Sequence, residues 1–148
     1  MILVDTSALY AVLDRDDENH PAAKATWGRV LTTDEPLLVT NYVIVETTAL
    51  AQHRLGMDAV RVLCGDILPA LNVHWISDAD HRQAQNVLLA ADRRKLSLVD
   101  CSSFHVMRSR MVRTAFAFDP HFREQGFDVL PDAAGAGGEE PTPPESSG

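Results

Sequence analysis

Short apolar runs that stop at an acid constrain this chain more than any other feature. Leu3-Val4 leads into Asp5, Leu98-Val99 into Asp100, and Ala117-Phe118 into Asp119. Brief runs that are apolar at successive positions suit strands buried on both faces, as parallel strands are. Parallel neighbours need crossover connections of a dozen or more residues, usually helical, and the intervening segments have helical period. The sequence predicts strands over 2–4, 37–39, 73–76, 96–99 and 115–118, with a final edge strand over 127–130. Between them it predicts helices over 7–13, 20–32, 42–54, 57–71, 78–93 and 102–112. Pro21 suits a first helical turn, Thr40, Asn41 and Ser77 are N-cap types, and Gly56 is a helix stop. Strands alternating with helices specify an α/β fold in three layers, α/β/α, with a central parallel sheet covered on both faces.

Residues 1–130 are enough for one domain with a continuous core. From Pro131 the character changes: residues 131–148 hold no aliphatic larger than Ala and are rich in Pro, Gly and Glu. Burial in such a segment cannot offset its ordering entropy, so 131–148 is expected to be a disordered acidic tail. The tail also explains much of the formal charge of −8. It carries Asp132, Glu139, Glu140 and Glu145 with no Lys or Arg, which leaves 13 basic against 17 acidic residues. Between Arg82 and Arg113 the balance reverses, with Arg82, Arg93, Arg94, Lys95, Arg108, Arg110 and Arg113 against Asp92 and Asp100. Local excess matters more than net charge for phosphate binding. No apolar run approaches the roughly 18 residues of a membrane span, and the amino terminus lacks the basic region of a signal peptide. A cytoplasmic location away from membranes is expected. Cys64 and Cys101 have no paired zinc-type spacing; both are expected to be reduced, with Cys64 in the core.

In open parallel sheets, ligands bind in the crevice at the carboxyl ends of the strands. Each strand-end Asp, taken singly, reads equally well as a helix N-cap. Asp5, Asp100 and Asp119 gathered there would repel one another at high cost unless a cation neutralised them. An all-oxygen donor set suits Mg²⁺ or Mn²⁺. Glu46 is the fourth acid, a single charge within the apolar helical run Val43-Ile-Val-Glu-Thr-Thr-Ala-Leu50, and it is expected to point inward. A lone acid of this kind is more often a cap or half of an ion pair. Rival chemistries fare worse. Asp5-Thr6-Ser7 lacks the second Asp of a phosphoaspartate enzyme, and Ser102-Ser103 lacks the flanking Gly of a nucleophile elbow. The histidines are scattered, although His121 lies close to Asp119 in sequence.

The segments Val4-Asp5-Thr6-Ser7-Ala8-Leu9, Val45-Glu46, Val99-Asp100 and Phe118-Asp119-Pro-His-Phe122 resemble, in order and spacing, the PIN-domain nucleases. Within that group they look most like the VapC-type toxins of toxin–antitoxin pairs, and the likeness runs from Met1 to about Leu130. It implies a PIN-like fold and divalent-metal-dependent cleavage of RNA, with Asp5, Glu46, Asp100 and Asp119 as the catalytic acids. It further implies direct metal ligation by Asp5 and Asp100, support from Glu46 and Asp119, and hydrogen bonds from Ser7 and Ser102 that orient the ligands. A cognate antitoxin and a homodimer are implied partners, with apolar surface between Met57 and Leu71 available to the dimer. Arg108, Arg110 and Arg113, on or after the helix that follows Asp100, are the candidate RNA contacts. Arg93, Arg94 and Lys95 precede a predicted strand and are expected at the opposite end of the sheet from the acids. The competing class is a catalytically silent RNA- or protein-binding module of the same fold.

Overall fold

The computed structural model describes residues 1–132; the tail, apart from its first two residues, lies outside them. Five parallel strands form one sheet in the order β3-β2-β1-β4-β5. They are β1 (Ile2–Val4), β2 (Leu37–Thr40), β3 (Asn72–His74), β4 (Thr114–Phe116) and β5 (Asp128–Leu130). The chain builds outward from β1 to β3, then returns to place β4 on the other side of β1. Right-handed crossovers require the covering helices to change face at that reversal. Accordingly α1 (Thr6–Leu13), α2 (His20–Leu31), α3 (Asn41–Arg54) and α4 (Met57–Val62) cover one face. The other face is covered by α5 (Asp78–Ala91), α6 (Leu98–Ser109) and α7 (His121–Glu124). This is the three-layer α/β/α arrangement expected.

The strand period of two divides the core cleanly. Ile2, Val4, Leu37, Val39 and Phe116 pack toward α1–α4, while Leu3, Leu38, Ala115, Ala117 and Val129 pack toward α5–α7. After α4 the chain widens into a π-helical turn, Leu63–Ile67, and a short 3-10 turn, Leu68–Ala70. Leu63 and Ile67 are buried there, but Cys64 is exposed, which corrects its expected place in the core; Cys101 is the buried cysteine, and both are free. Gly56, at φ +90°, makes the bend between α3 and α4 in a backbone region that side chains disfavour. Asp80, in the first turn of α5, receives the Nε2 atoms of His74 on β3 and His105 on α6, each at 3.0 Å. It thereby ties the sheet edge to both helices. No helix among the described residues is long and apolar enough to cross a membrane.

One predicted strand is absent. Residues 96–99 are the entry to α6, not a sheet member. Ser97 is the N-cap: its hydroxyl accepts the Asp100 amide at 3.0 Å, and the Asp100 carboxylate accepts the Ser97 amide at 3.3 Å. This reciprocal capping box satisfies two amides that a helix start would otherwise leave unpaired. It outweighs the strand-like pattern of Leu96 and Leu98, which pack instead against the α5–α7 side of the core. Asp100 therefore stands on the first turn of a helix and not at a strand end.

Candidate metal centre and active site

The reversal of strand order puts β1 beside β4, and their carboxyl ends open a crevice at a topological switch point. Register fixes what meets there. Val4 pairs with Phe116, and the Asp5 amide continues the ladder by donating to the Phe116 carbonyl at 3.0 Å. Asp5 then caps α1, its Oδ2 accepting the Ser7 amide at 3.1 Å and the Ser7 hydroxyl at 2.6 Å. The same hydroxyl accepts the Phe118 amide at 2.9 Å, so Ser7 pins the residue before Asp119 to the start of α1. Asp119 forms a local turn, its Oδ1 accepting the His121 amide at 2.9 Å. From the α5–α7 side, the capping box of α6 turns Asp100 into the same space.

These residues line a cavity of about 580 Å³ together with Glu46, Thr6, Tyr10, Arg54, Lys95 and His121. One ligand atom from each of Asp100, Asp119 and His121 lies within 4.8 Å of the others. Asp5 and Glu46 line the same cavity outside that tight group, Glu46 from the α3 wall. Burial above all, reinforced by the charges of Asp100 and Asp119, pushes the Asp5 carboxyl up to about 7 against the opposing hydrogen bonds from Ser7. Asp100 is also raised, by burial first and then by Asp119. The His121 imidazole is raised by its hydrogen bond to Glu124, with Asp119 and Asp100 adding to it. Negative charge has thus been gathered here beyond what the protein itself neutralises.

That donor set fits a divalent cation: at least three carboxylates, one imidazole and the Thr6 hydroxyl, which has no hydrogen-bond partner among the described residues. Hard oxygen donors gathered at a repulsive cost are what a Mg²⁺ or Mn²⁺ site provides.

The other expected contributors are placed differently. Ser102 donates to the Val99 carbonyl at 2.7 Å within α6 and does not line the cavity. Ser97 is the serine that holds Asp100. Arg108, Arg110 and Arg113 lie toward the far end of α6 and beyond it, at the amino ends of the strands. At a rise of 1.5 Å per residue, Arg108 is roughly 12 Å along the axis from Asp100. Arg108 donates to Gln125 and sits over Phe104 and Phe127, while Arg110 and Arg113 border a separate hollow beside Met1 and Glu35. The cavity's cations are Arg54 and Lys95. Lys95 reaches it because 96–99 is a helix entry and not a strand that would have carried Lys95 to the other end. Arg54 was legible in the helical spacing: Glu46, Leu50 and Arg54 recur every four residues and share one face of α3. Its guanidinium lies over the Tyr10 ring, 5.5 Å from the centroid.

Residues 2–128 match the PIN domain family. The 23S rRNA-specific endonuclease VapC20 of two Mycobacterium tuberculosis strains, CDC 1551/Oshkosh and H37Rv, is 34% identical to this chain over 135 residues. Those residues span 89% of this chain and the whole of each relative. A crystal structure of Mycobacterium tuberculosis VapC20, described as a sarcin–ricin loop cleaving toxin, superposes with a TM-score of 0.74 at 30% identity. It covers 86% of this chain and 96% of its own. A second structure, FitAcB from Neisseria gonorrhoeae, superposes with a TM-score of 0.64 at 15% identity, over 87% of this chain and 96% of its own, and it shares the fold.

Proposed function

We propose, on the premise that this chain belongs to the PIN domain family, that it is a metal-dependent endoribonuclease, the toxin of a toxin–antitoxin pair. The observation that carries the reading is the convergence of Asp5, Asp100 and Asp119 in one cavity, with burial holding the Asp5 carboxyl well above its ordinary range and raising Asp100 as well. A catalytically silent module would gain by losing that repulsion. Identity of 34% across the full length of relatives named for 23S rRNA cleavage supports ribosomal RNA as the substrate class.

In this reading Asp5 and Asp100 hold the cation, which is Mg²⁺ or Mn²⁺, with Asp119 beside them. When bound, the cation supplies Lewis-acid neutralisation of charge on the phosphate and lowers the pKa of a water. Ser7 and Ser97 hold the Asp5 and Asp100 carboxylates in place, as hydrogen-bonded supports of ligands do. Glu46 or Asp119, both lining the cavity, would take the proton of the attacking water. Arg54 and Lys95 hold phosphates on either side of the scissile one and offset the negative charge of the cavity for an anionic substrate. The protein acts in the cytoplasm, where ribosomes are. An antitoxin silences it by presenting a basic segment to the acids, an Arg pairing with two carboxylates. A homodimer is supported by the exposed apolar residues Met57 and Val62 on α4 and Val45 on α3.

The test is cleavage of 23S rRNA by purified, chelator-stripped protein, with mapping of the new 5′ ends. Mn²⁺ or Mg²⁺ should restore cutting at a defined site, and Asp100→Asn should abolish it while keeping the fold. Cleavage by Asp100→Asn near the wild-type rate, or undiminished cutting in EDTA, removes the proposal.

A further inference from the structure

Among the described residues that line the cavity, His121 is the one imidazole. His121 opens α7, and its ring nitrogens have unequal surroundings. Nδ1 lies 3.1 Å from Glu124 Oε2, an oxygen that also accepts Arg93 Nη1 at 3.0 Å. Nε2 makes no hydrogen bond among the described residues; its nearest carboxylate oxygen, Asp119 Oδ1, is 3.9 Å away. A carboxylate anchored by an arginine favours a proton on Nδ1, which makes Nε2, on the side of Asp100 and Asp119, the nitrogen available to a cation. Metal-ligating histidines are characteristically held in this way, the second ring nitrogen donating to a carboxylate. One ligand atom each from Asp100, Asp119 and His121 lies within 4.8 Å of the others, close enough for the three to meet one cation.

We propose that His121 Nε2 is a ligand of the cation that the cavity's carboxylates hold, and that this nitrogen makes the site favour first-row transition-metal ions, Mn²⁺ among them, over Mg²⁺. The proposal rests on the reading that these carboxylates bind a divalent cation at all. Its chemistry is general: Mg²⁺ favours oxygen donors and retains its waters, whereas imidazole suits transition ions and strengthens their binding along the series. Glu124 and Arg93, both exposed and paired at 3.0 Å, are then positioning residues for the metal.

The test needs no substrate. Calorimetric titration of chelator-stripped wild-type protein with Mn²⁺ and with Mg²⁺ should give binding at least about tenfold tighter for Mn²⁺. His121→Gln should weaken Mn²⁺ by about 10–100-fold and leave Mg²⁺ within about threefold, and Glu124→Ala should weaken Mn²⁺ by about tenfold. A second readout avoids reliance on variants: nitrogen-15 spectra of the wild-type imidazoles with diamagnetic Zn²⁺ should show His121 Nε2, alone among the ring nitrogens, moving on binding. Equal affinities for Mn²⁺ in wild type and His121→Gln, or a stationary Nε2 signal, overturn the ligand assignment and leave the carboxylate site standing. A wild type that binds neither Mn²⁺ nor Mg²⁺ overturns both.

Discussion

Asp5→Asn should make the metal-free protein more stable at neutral pH and erase a pH dependence that the wild type shows. Asp5 is 3% exposed, and its carboxyl moves from an ordinary 3.8 to about 7 on folding. At 1.36 kcal/mol per pH unit, ionising it in the fold costs roughly 4 kcal/mol, part of which belongs to its coupling with Asp100 and Asp119. An acid whose folded pKa exceeds the unfolded one takes up a proton on folding between the two values. The wild type therefore carries no cost from this group below about pH 4, loses stability as pH rises from about 4 to about 7, and bears the full cost above. Asn preserves the shape and one acceptor oxygen for Ser7 without the charge. Urea titrations in EDTA from pH 4.5 to 8, extrapolated to water, should show the variant exceeding the wild type by roughly 2–4 kcal/mol at pH 7.5 or above, with the gap closing toward pH 4.5. The difference between the two proteins reports Asp5 and its coupling to Asp100 and Asp119, because Asp80 and Glu124, both held below their ordinary range, titrate alike in each. Saturating Mn²⁺ should reverse the ranking, since only the wild type gains fully from binding. Parallel pH profiles for the two proteins in EDTA would refute the assignment of buried repulsion to Asp5.

Two further expectations separate residues that the sequence alone confuses. Ser97→Ala should lower stability by about 1 kcal/mol through loss of the N-cap and depress cleavage by loosening Asp100, whereas Ser102→Ala should leave cleavage near wild type; thermal melts and initial rates measure both. Arg54→Ala and Lys95→Ala should each weaken RNA binding and reduce the slope of log affinity against log salt by about 0.7, while Arg108→Ala, Arg110→Ala and Arg113→Ala should leave that slope unchanged.

The sheet was legible because its central strands β1, β2 and β4 are short and mostly apolar, and because Pro21, Gly56 and Ser77 mark the helix boundaries. The segment 96–99 was misread for an identifiable reason. Leu96, Leu98 and Val99 carry apolar side chains whether the backbone is strand or helix entry, and all three pack against the core, Leu96 fully buried and the other two partly. Ser97-x-x-Asp100 was the discriminating signal, since a serine three residues before an acid forms a capping box that no strand offers a use for. The error displaced Lys95 to the wrong end of the sheet and credited Asp100 to a strand, yet Asp100 still points into the cavity with Asp5 and Asp119. Its role as a helix-capping acid and its place among the cavity acids are one geometry. Arg108 could not be located from composition, because a basic residue on a helix reports its charge and not which end of the sheet the helix is approaching.

The Ser7 hydroxyl has one proton to give and has accepted one already. With the Phe118 amide directed at its oxygen, its own hydrogen must point to Asp5 Oδ2, where the Ser7 amide points as well. Two donors on Oδ2 leave that oxygen no room for an acid hydrogen, so the proton that Asp5 carries below about pH 7 sits on Oδ1. A backbone amide next to Asp119 thus sets which oxygen of Asp5, the N-cap of α1, is free to take a proton. Asp5 is two-sided: one oxygen is tied into the fold by Ser7, and under the proposed reading the other is the one that trades a hydrogen ion for a cation.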